Sequence, residues 1–102
     1  MKIYISGPMT GYDEWNYPAF HEAAKQLREA GHYVFNPAEA FGGATHLSYA
    51  DYMRNDIHAI LQVDAIAVLP GWENSKGAKL ETAIAEVLGL PILPYQEMAV
   101  AK

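Results

Sequence analysis

The run Ala65-Ile66-Ala67-Val68-Leu69, stopped by Pro70-Gly71, constrains this chain more than any other stretch. Five apolar residues in succession, without polar alternation, mark a strand covered on both faces, which is the pattern of a parallel sheet. Parallel strands need crossover connections, and helical patterns lie between the other strand candidates. Ile3 to Ile5 end at Ser6-Gly7-Pro8, Tyr33-Val34-Phe35 end at Asn36-Pro37, and Pro91 to Tyr95 form the last apolar strand. The alternation predicts an open parallel sheet of about four strands with helices on both faces and right-handed crossovers, a three-layer α/β sandwich. Ligands of such sheets bind beyond the C-terminal strand ends, where the strand order reverses. The loops 7–12 and 70–76, after the first and third strands, both open at that end, as does the long loop after the second.

The first helix enters at Asn16-Tyr17-Pro18, with Phe20, Ala23, Ala24 and Leu27 as its apolar stripe and Gly31 as its stop. The second begins near Ser48 or Tyr49 and sets Met53, Ile57, Ile60 and Leu61 on one face. The third runs from about Gly77 to Leu88, ended by Gly89. Its apolar face reads as Leu80, Ala83, Ile84, Val87 and Leu88, and its wet face as Lys79, Thr82 and Glu86. The stretch from Ala38 to Ser48, with Gly42-Gly43 and His46, is the longest irregular region, and loops of that length tend to be functional or mobile. The tail from Gln96 carries little pattern.

At 102 residues, with 51% hydrophobic and 19% charged, the chain is expected to form one globular domain, spanning residues 1–102. A net charge of −5 gives no basic field for nucleic acid, so none is expected as a partner. Without cysteines there is no disulfide, thiol nucleophile or thiolate metal site, and the four histidines lack ligand spacing, so neither metal nor cofactor is expected. The start reads as a strand and no apolar run reaches membrane-spanning length, which makes a cytoplasmic soluble protein the default.

Two acids break the pattern. Asp56 lies three residues after Met53 and four before Ile60, on the apolar face of the second helix. A carboxylate there is costly unless it is paired, hydrogen-bonded or serving a pocket. Glu81 sits at the edge of the third helix's apolar face; alone it is equally well an acid placed for the helix dipole. Ser75 is a good N-cap, and its hydroxyl with the following N–H groups could also cradle a phosphate. Trp72, Trp15, Tyr12 and Tyr17 cluster at the same end, as packing or as a base-stacking wall. Lys76 and Lys79 flank the helix start, as solvated charges or as partners of an anion.

Ser6-Gly7-Pro8-Met9-Thr10-Gly11, Asn55-Asp56-Ile57 and Ser75-Lys76-Gly77-Ala78-Lys79-Leu80-Glu81 together resemble the nucleoside 2-deoxyribosyltransferase-like superfamily, and most closely a short bacterial and phage branch of it. The resemblance extends to about Tyr95 and implies a flavodoxin-like or Rossmann-like fold and cleavage of an N-glycosidic bond. It makes Glu81 the nucleophile and Asp56 the acid that positions or protonates the base. It makes Ser75 the phosphate contact, which favours a nucleoside 5′-monophosphate. Ser6, Gly7, Pro8, Met9, Gly11, Trp72, Ser75 and Gly77 are the expected substrate contacts, and a homodimer the expected assembly. Thr10 stands in a loop where similar hydrolases often carry an arginine, and Lys79 where a glycine is common. The expected activity is therefore nucleotide N-glycosidase or deoxyribosyltransferase. The alternative is a non-catalytic protein that senses or sequesters a nucleotide or an ADP-ribose-like ligand.

Overall fold

The computed structural model describes residues 1–39 and 48–99. The glycine pair and His46 of the long loop lie outside them. Four strands form one parallel sheet: β1 (Lys2–Ser6), β2 (Tyr33–Phe35), β3 (Ala65–Val68) and β4 (Ile92–Pro94), in the order β2-β1-β3-β4. From β1 the chain first steps outward to β2 and then returns to place β3 on its other side. The order therefore reverses between β1 and β3, and the ends of these two strands, Ser6 and Val68, are register partners.

Alternation along β1 divides the molecule. Ile3 and Ile5, with Ala65 and Ala67, face α1 (Tyr17–Glu29), which buries Phe20, Ala23, Ala24 and Leu27 against them. Met98 of α4 (Tyr95–Met98), a short helix that the sequence pattern does not reveal, completes this layer. Tyr4, Ile66 and Val68 point the other way. They meet Ala59 and Ile60 of α2 (Tyr49–Ile60) and Ala85 of α3 (Lys76–Val87). This is the expected three-layer α/β sandwich. Asp64 accepts a hydrogen bond from Lys2 N at 2.9 Å, which ties the approach to β3 to the start of β1.

Helix starts follow their chemistry. Ser48 and Asp51 form a reciprocal capping box: Asp51 N donates to Ser48 Oγ at 3.2 Å and Ser48 N to Asp51 Oδ2 at 3.0 Å. Ser75 Oγ accepts from Ala78 N at 3.2 Å. Gly7 is fixed by space: a Cβ there would lie 2.8 Å from Leu69 Cβ, because the chain leaving β1 passes directly over the end of β3.

α3 corrects the sequence reading by half a turn. Its inward face is Ala78, Glu81, Thr82 and Ala85, whereas Leu80 and Val87 are 47% and 88% exposed, and Ala83 and Leu88 also face solvent. The inward polar groups are satisfied. The Thr82 hydroxyl donates to Ala78 O at 3.0 Å, and Glu81 finds donors on β1. Periodicity located the stripe but could not say which side of the helix meets the sheet. Leu61, expected on the apolar face of α2, is likewise exposed.

Gly7→Ala is expected to cost about 1–3 kcal/mol of unfolding free energy in urea titration, since the added methyl group must displace Leu69 or the backbone.

Candidate functional site

β1 turns Tyr4 and Ser6 to the α2/α3 side of the sheet, two residues apart and so on one face. Both side chains are fully buried, and both end on Glu81. Tyr4 Oη donates to Glu81 Oε2 at 2.8 Å, and Ser6 Oγ donates to Glu81 Oε1 at 2.7 Å. Each carboxyl oxygen of Glu81 thus has its own hydroxyl, and the side chain is held in one orientation. Asp56, one turn before the C-terminal end of α2, comes within hydrogen-bonding range of both Glu81 and Tyr4. The two acids that break the sequence pattern therefore share one site.

The electrostatics follow from burial. Glu81 is only 6% exposed. Burial first, and then the Asp56 charge, push its pKa up to about 8, against the opposing pull of the Ser6 and Tyr4 hydroxyls. Burial raises Asp56 to about 6, with hydrogen bonds from Glu81 and Tyr4 acting against it. Tyr4 is driven well above its ordinary range by burial and by the two neighbouring acids, so its hydroxyl remains a donor. Because the acids interact, these values belong to the pair, which holds one proton between about pH 6 and pH 8.

Glu81 and Asp56 lie at a cavity of about 560 Å³, within the range of small-molecule sites. Gly7, Met9 and Thr10 of the first loop form one wall, Tyr49, Tyr52 and Met53 of α2 another, and Ser75, Gly77 and Ala78 at the start of α3 a third. Trp15 and Tyr17 complete the lining near the entrance to α1. A Cβ at Gly77 would lie 3.4 Å from Tyr49 Oη, so the start of α3 runs close beside α2 at this wall.

Trp15 is held unusually. Glu14, Trp15 and Asn16 have φ values of +53°, +55° and +61°, three consecutive left-handed residues without a glycine. This conformation costs roughly 1–2 kcal/mol per residue. Trp15 N donates to Tyr12 O at 3.1 Å and Asn16 Nδ2 to Pro8 O at 2.9 Å, which ties the turn to the first loop. The indole lines the cavity and is nevertheless 58% exposed.

Of the residues expected from sequence, Asp56, Glu81, Gly7, Met9, Ser75 and Gly77 line this cavity. Ser6 does not: it is buried beneath Glu81 and holds that acid. Pro8 and Gly11 are also absent from the lining; Pro8 is buried and Gly11 is an exposed turn residue at φ +87°. Trp72 sits on a short 3₁₀ turn and packs against the cluster around Tyr4 and Ile60 instead. Sequence reasoning missed Tyr4, Tyr49 and Tyr52. The signal for Tyr4 was present, since a tyrosine inside a buried strand requires a partner for its hydroxyl.

The sequence profile of a family described as a domain of unknown function, DUF4406, matches residues 1–94. The chain belongs to that family. No curated protein matches this DUF4406 chain. Among solved structures it is similar to a 2-deoxyribosyltransferase from Bacillus psychrosaccharolyticus, with a TM-score of 0.72 at 24% identity over 91% of this chain and 71% of that one. It is also similar to a 2-deoxyribosyltransferase from Leishmania mexicana, with a TM-score of 0.71 at 21% identity over 91% of this chain and 62% of that one. The DUF4406 chain therefore has the nucleoside 2-deoxyribosyltransferase-like fold. Among the described residues no helix is long and apolar enough to cross a membrane.

The acid pair has a consequence for stability. A carboxyl group whose folded pKa is raised contributes most when protonated, at low pH, and its contribution is lost as pH rises through the folded value. For Glu81 that loss begins above its ordinary value of 4.5 and is complete near pH 8. Glu81→Gln, which keeps the size and removes the charge, should match the wild-type melting temperature near pH 5 and exceed it by several degrees above pH 8. Melting curves of both proteins across this range check the sign.

Proposed function

We propose that this protein cleaves the N-glycosidic bond of a nucleoside 5′-monophosphate, with Glu81 as nucleophile and Asp56 as proton donor. The observation that carries the reading is the carboxyl pair on the cavity wall. One acid is clamped by two hydroxyls, and the other lies within reach of it and of the cavity. Departure of a base from C1′ builds positive charge on the sugar, and a fixed carboxylate stabilises that charge or traps it covalently.

In the first step a Glu81 oxygen bonds to C1′, the C1′–N bond breaks, and the leaving nitrogen takes the proton of Asp56. In the second, water bonds to C1′, its proton goes to Asp56, and the Glu81 ester bond breaks to release the sugar. A second base in place of water makes the reaction a deoxyribosyl transfer. The Tyr4 and Ser6 donors favour the ionised form of Glu81. The reactive arrangement places the pair's single proton on Asp56.

Substrate recognition follows the walls. Trp15, Tyr17, Tyr49 and Tyr52 offer aromatic faces to a base. The Ser75 hydroxyl accepts the Ala78 N–H and keeps its own proton to donate, at a helix start where backbone N–H groups suit a phosphate. A neutral hydroxyl tolerates the 5′-phosphate that a carboxylate would repel. A homodimer in the cytoplasm goes with this reading. No metal or cofactor is assigned a part in it.

Release of free base from a panel of ribo- and deoxyribonucleoside monophosphates, followed by chromatography, tests the proposal. The rate should be bell-shaped, falling below about pH 6, where the nucleophile is protonated, and above about pH 8, where the donor is lost. Glu81→Ala should abolish release, and base release that survives this change sinks the nucleophile assignment. Ligand bound tightly but recovered intact would assign the protein to the sensing or sequestering class instead, a role that the engaged and buried state of Glu81 also suits.

The two tryptophans separate packing from recognition. Trp15→Ala should raise KM by about tenfold, the scale of one lost base stack, with a smaller effect on kcat. Trp72→Phe should leave KM unchanged.

A further inference from the structure

The cavity at Glu81 and Asp56 is walled by aromatic rings and acids, and by no positive charge. Trp15 and Tyr17 come from the entrance to α1, and Tyr49 and Tyr52 from the first turn of α2. Among the described residues no lysine, arginine or histidine lines it. With one proton between them, the two acids keep one negative charge at the cavity near neutral pH. The chain also accepts three consecutive left-handed residues to hold the Trp15 indole there. An aromatic face attracts a cation, and more strongly where water is excluded. A neutral base would use the rings alone and gain nothing from the charge on the acids. Rings and acids together favour one ligand property, positive charge on a flat ring.

We propose that the ligand of this cavity is a nucleotide whose base carries a positive charge, an N-alkylated purine or a pyridinium, in preference to a neutral base. The chemical step rests on the cleavage proposed above for this site, whereas the binding preference rests on the lining alone. A neutral base leaves only with a proton from Asp56. A cationic base needs none: a Glu81 oxygen bonds to C1′, the C1′–N bond breaks, and its electron pair neutralises the ring. Water then bonds to C1′ and passes a proton to Asp56, while the ester bond breaks and its electron pair returns to the Glu81 carboxylate. The charge on the base also favours ionisation of both acids, which leaves Glu81 ready to attack and Asp56 ready to accept. The same charge offsets that of the 5′-phosphate, for which the lining holds no cation.

Isothermal titration calorimetry at pH 7 on Glu81→Gln is the test. This variant has no nucleophile, so it binds without cleaving, and it leaves the single negative charge on Asp56. Three ligands share ribose and phosphate: adenosine 5′-monophosphate, its 1-methyl derivative, which is a cation at this pH, and its N6-methyl derivative, which carries the methyl group without the charge. The cation should bind at least about tenfold more tightly than either neutral ligand. Adding Trp15→Leu should reduce that ratio about threefold or more, with an unchanged circular dichroism spectrum because the indole is largely exposed. Adding Asp56→Asn should reduce it as well, and Trp72→Phe should leave it unchanged. Equal affinity for the two methylated ligands means that the methyl group only fills space, and overturns the proposal. So does a ratio that survives both Trp15→Leu and Asp56→Asn. Wild-type protein separates this failure from failure of the cleavage reading. Neutral nucleotides cleaved without charge preference keep the reaction and lose the inference. A preferred cation recovered intact keeps the inference and loses the reaction, and three ligands that all fail to bind overturn both.

Discussion

The contact of Tyr4 and Ser6 with Glu81 is the interaction on which the arrangement of this protein depends. A carboxyl group removed from water is costly, and the cost falls when each oxygen accepts from a fixed donor. β1 can supply two donors on one face only because its side chains alternate, and it presents them only if the helix carrying Glu81 lies directly over it. The hydroxyl clamp thereby sets the rotation of α3. Ala78 and Ala85, next to Glu81 on the inward face, are small enough to let the helix come close to the sheet. Once α3 is turned that way Leu80 and Val87 have no place but outside, while Ile84 packs at the margin of the inner cluster.

The same constraint gathers the site. The strand order reverses between β1 and β3, which opens a crevice at their ends, and Gly7 lets the first loop cross that crevice closely. α2 brings Asp56 over the opening and α3 brings Glu81 beneath it. Burial raises both acids, and their mutual repulsion adds to the rise on Glu81, so the pair is kept from full ionisation near neutral pH. Two carboxyl groups with one proton between them are suited to acid–base work without any further group. The left-handed turn at Glu14 to Asn16 fits the same logic. Backbone strain persists where surrounding contacts overdetermine it, and here it holds an exposed indole at the cavity.

How much of this the sequence revealed depended on whether the signal was local. The continuous apolar run of β3 fixed the parallel sheet. Asp56 was legible as a site residue because it interrupts a stripe that is otherwise consistent. Glu81 was nearly invisible on its own, because its justification lies on a strand more than seventy residues earlier. For that reason the hydrophobic stripe of α3 reads from sequence as its core face: amphipathic periodicity measures contrast between two sides and carries no sign. Trp72 and Trp15 were indistinguishable for a similar reason. Both stand in loops at the correct end of the sheet, and only the fold shows that Trp72 packs against the inner cluster while Trp15 lines the cavity. Nothing in Glu14-Trp15-Asn16 announces a left-handed turn, since the residue that normally signals one, glycine, is missing.

The inverted helix links these threads. A helix that buries its acid and exposes its leucine is an error of design if the chain acts alone, since exposed apolar stripes invite association. The inward half of α3 is shaped by the carboxyl pair, and the outward half is what that constraint leaves over. The helix that carries Glu81 is pinned to β1 by the two hydroxyls. Rigidity of that kind matters for the nucleophile role proposed for Glu81, since a carboxylate displaced by an ångström from the reacting carbon loses much of the advantage of orientation. The exposed face of α3 is thus a consequence of how Glu81 is held, and neither Leu80 nor Val87 lines the cavity.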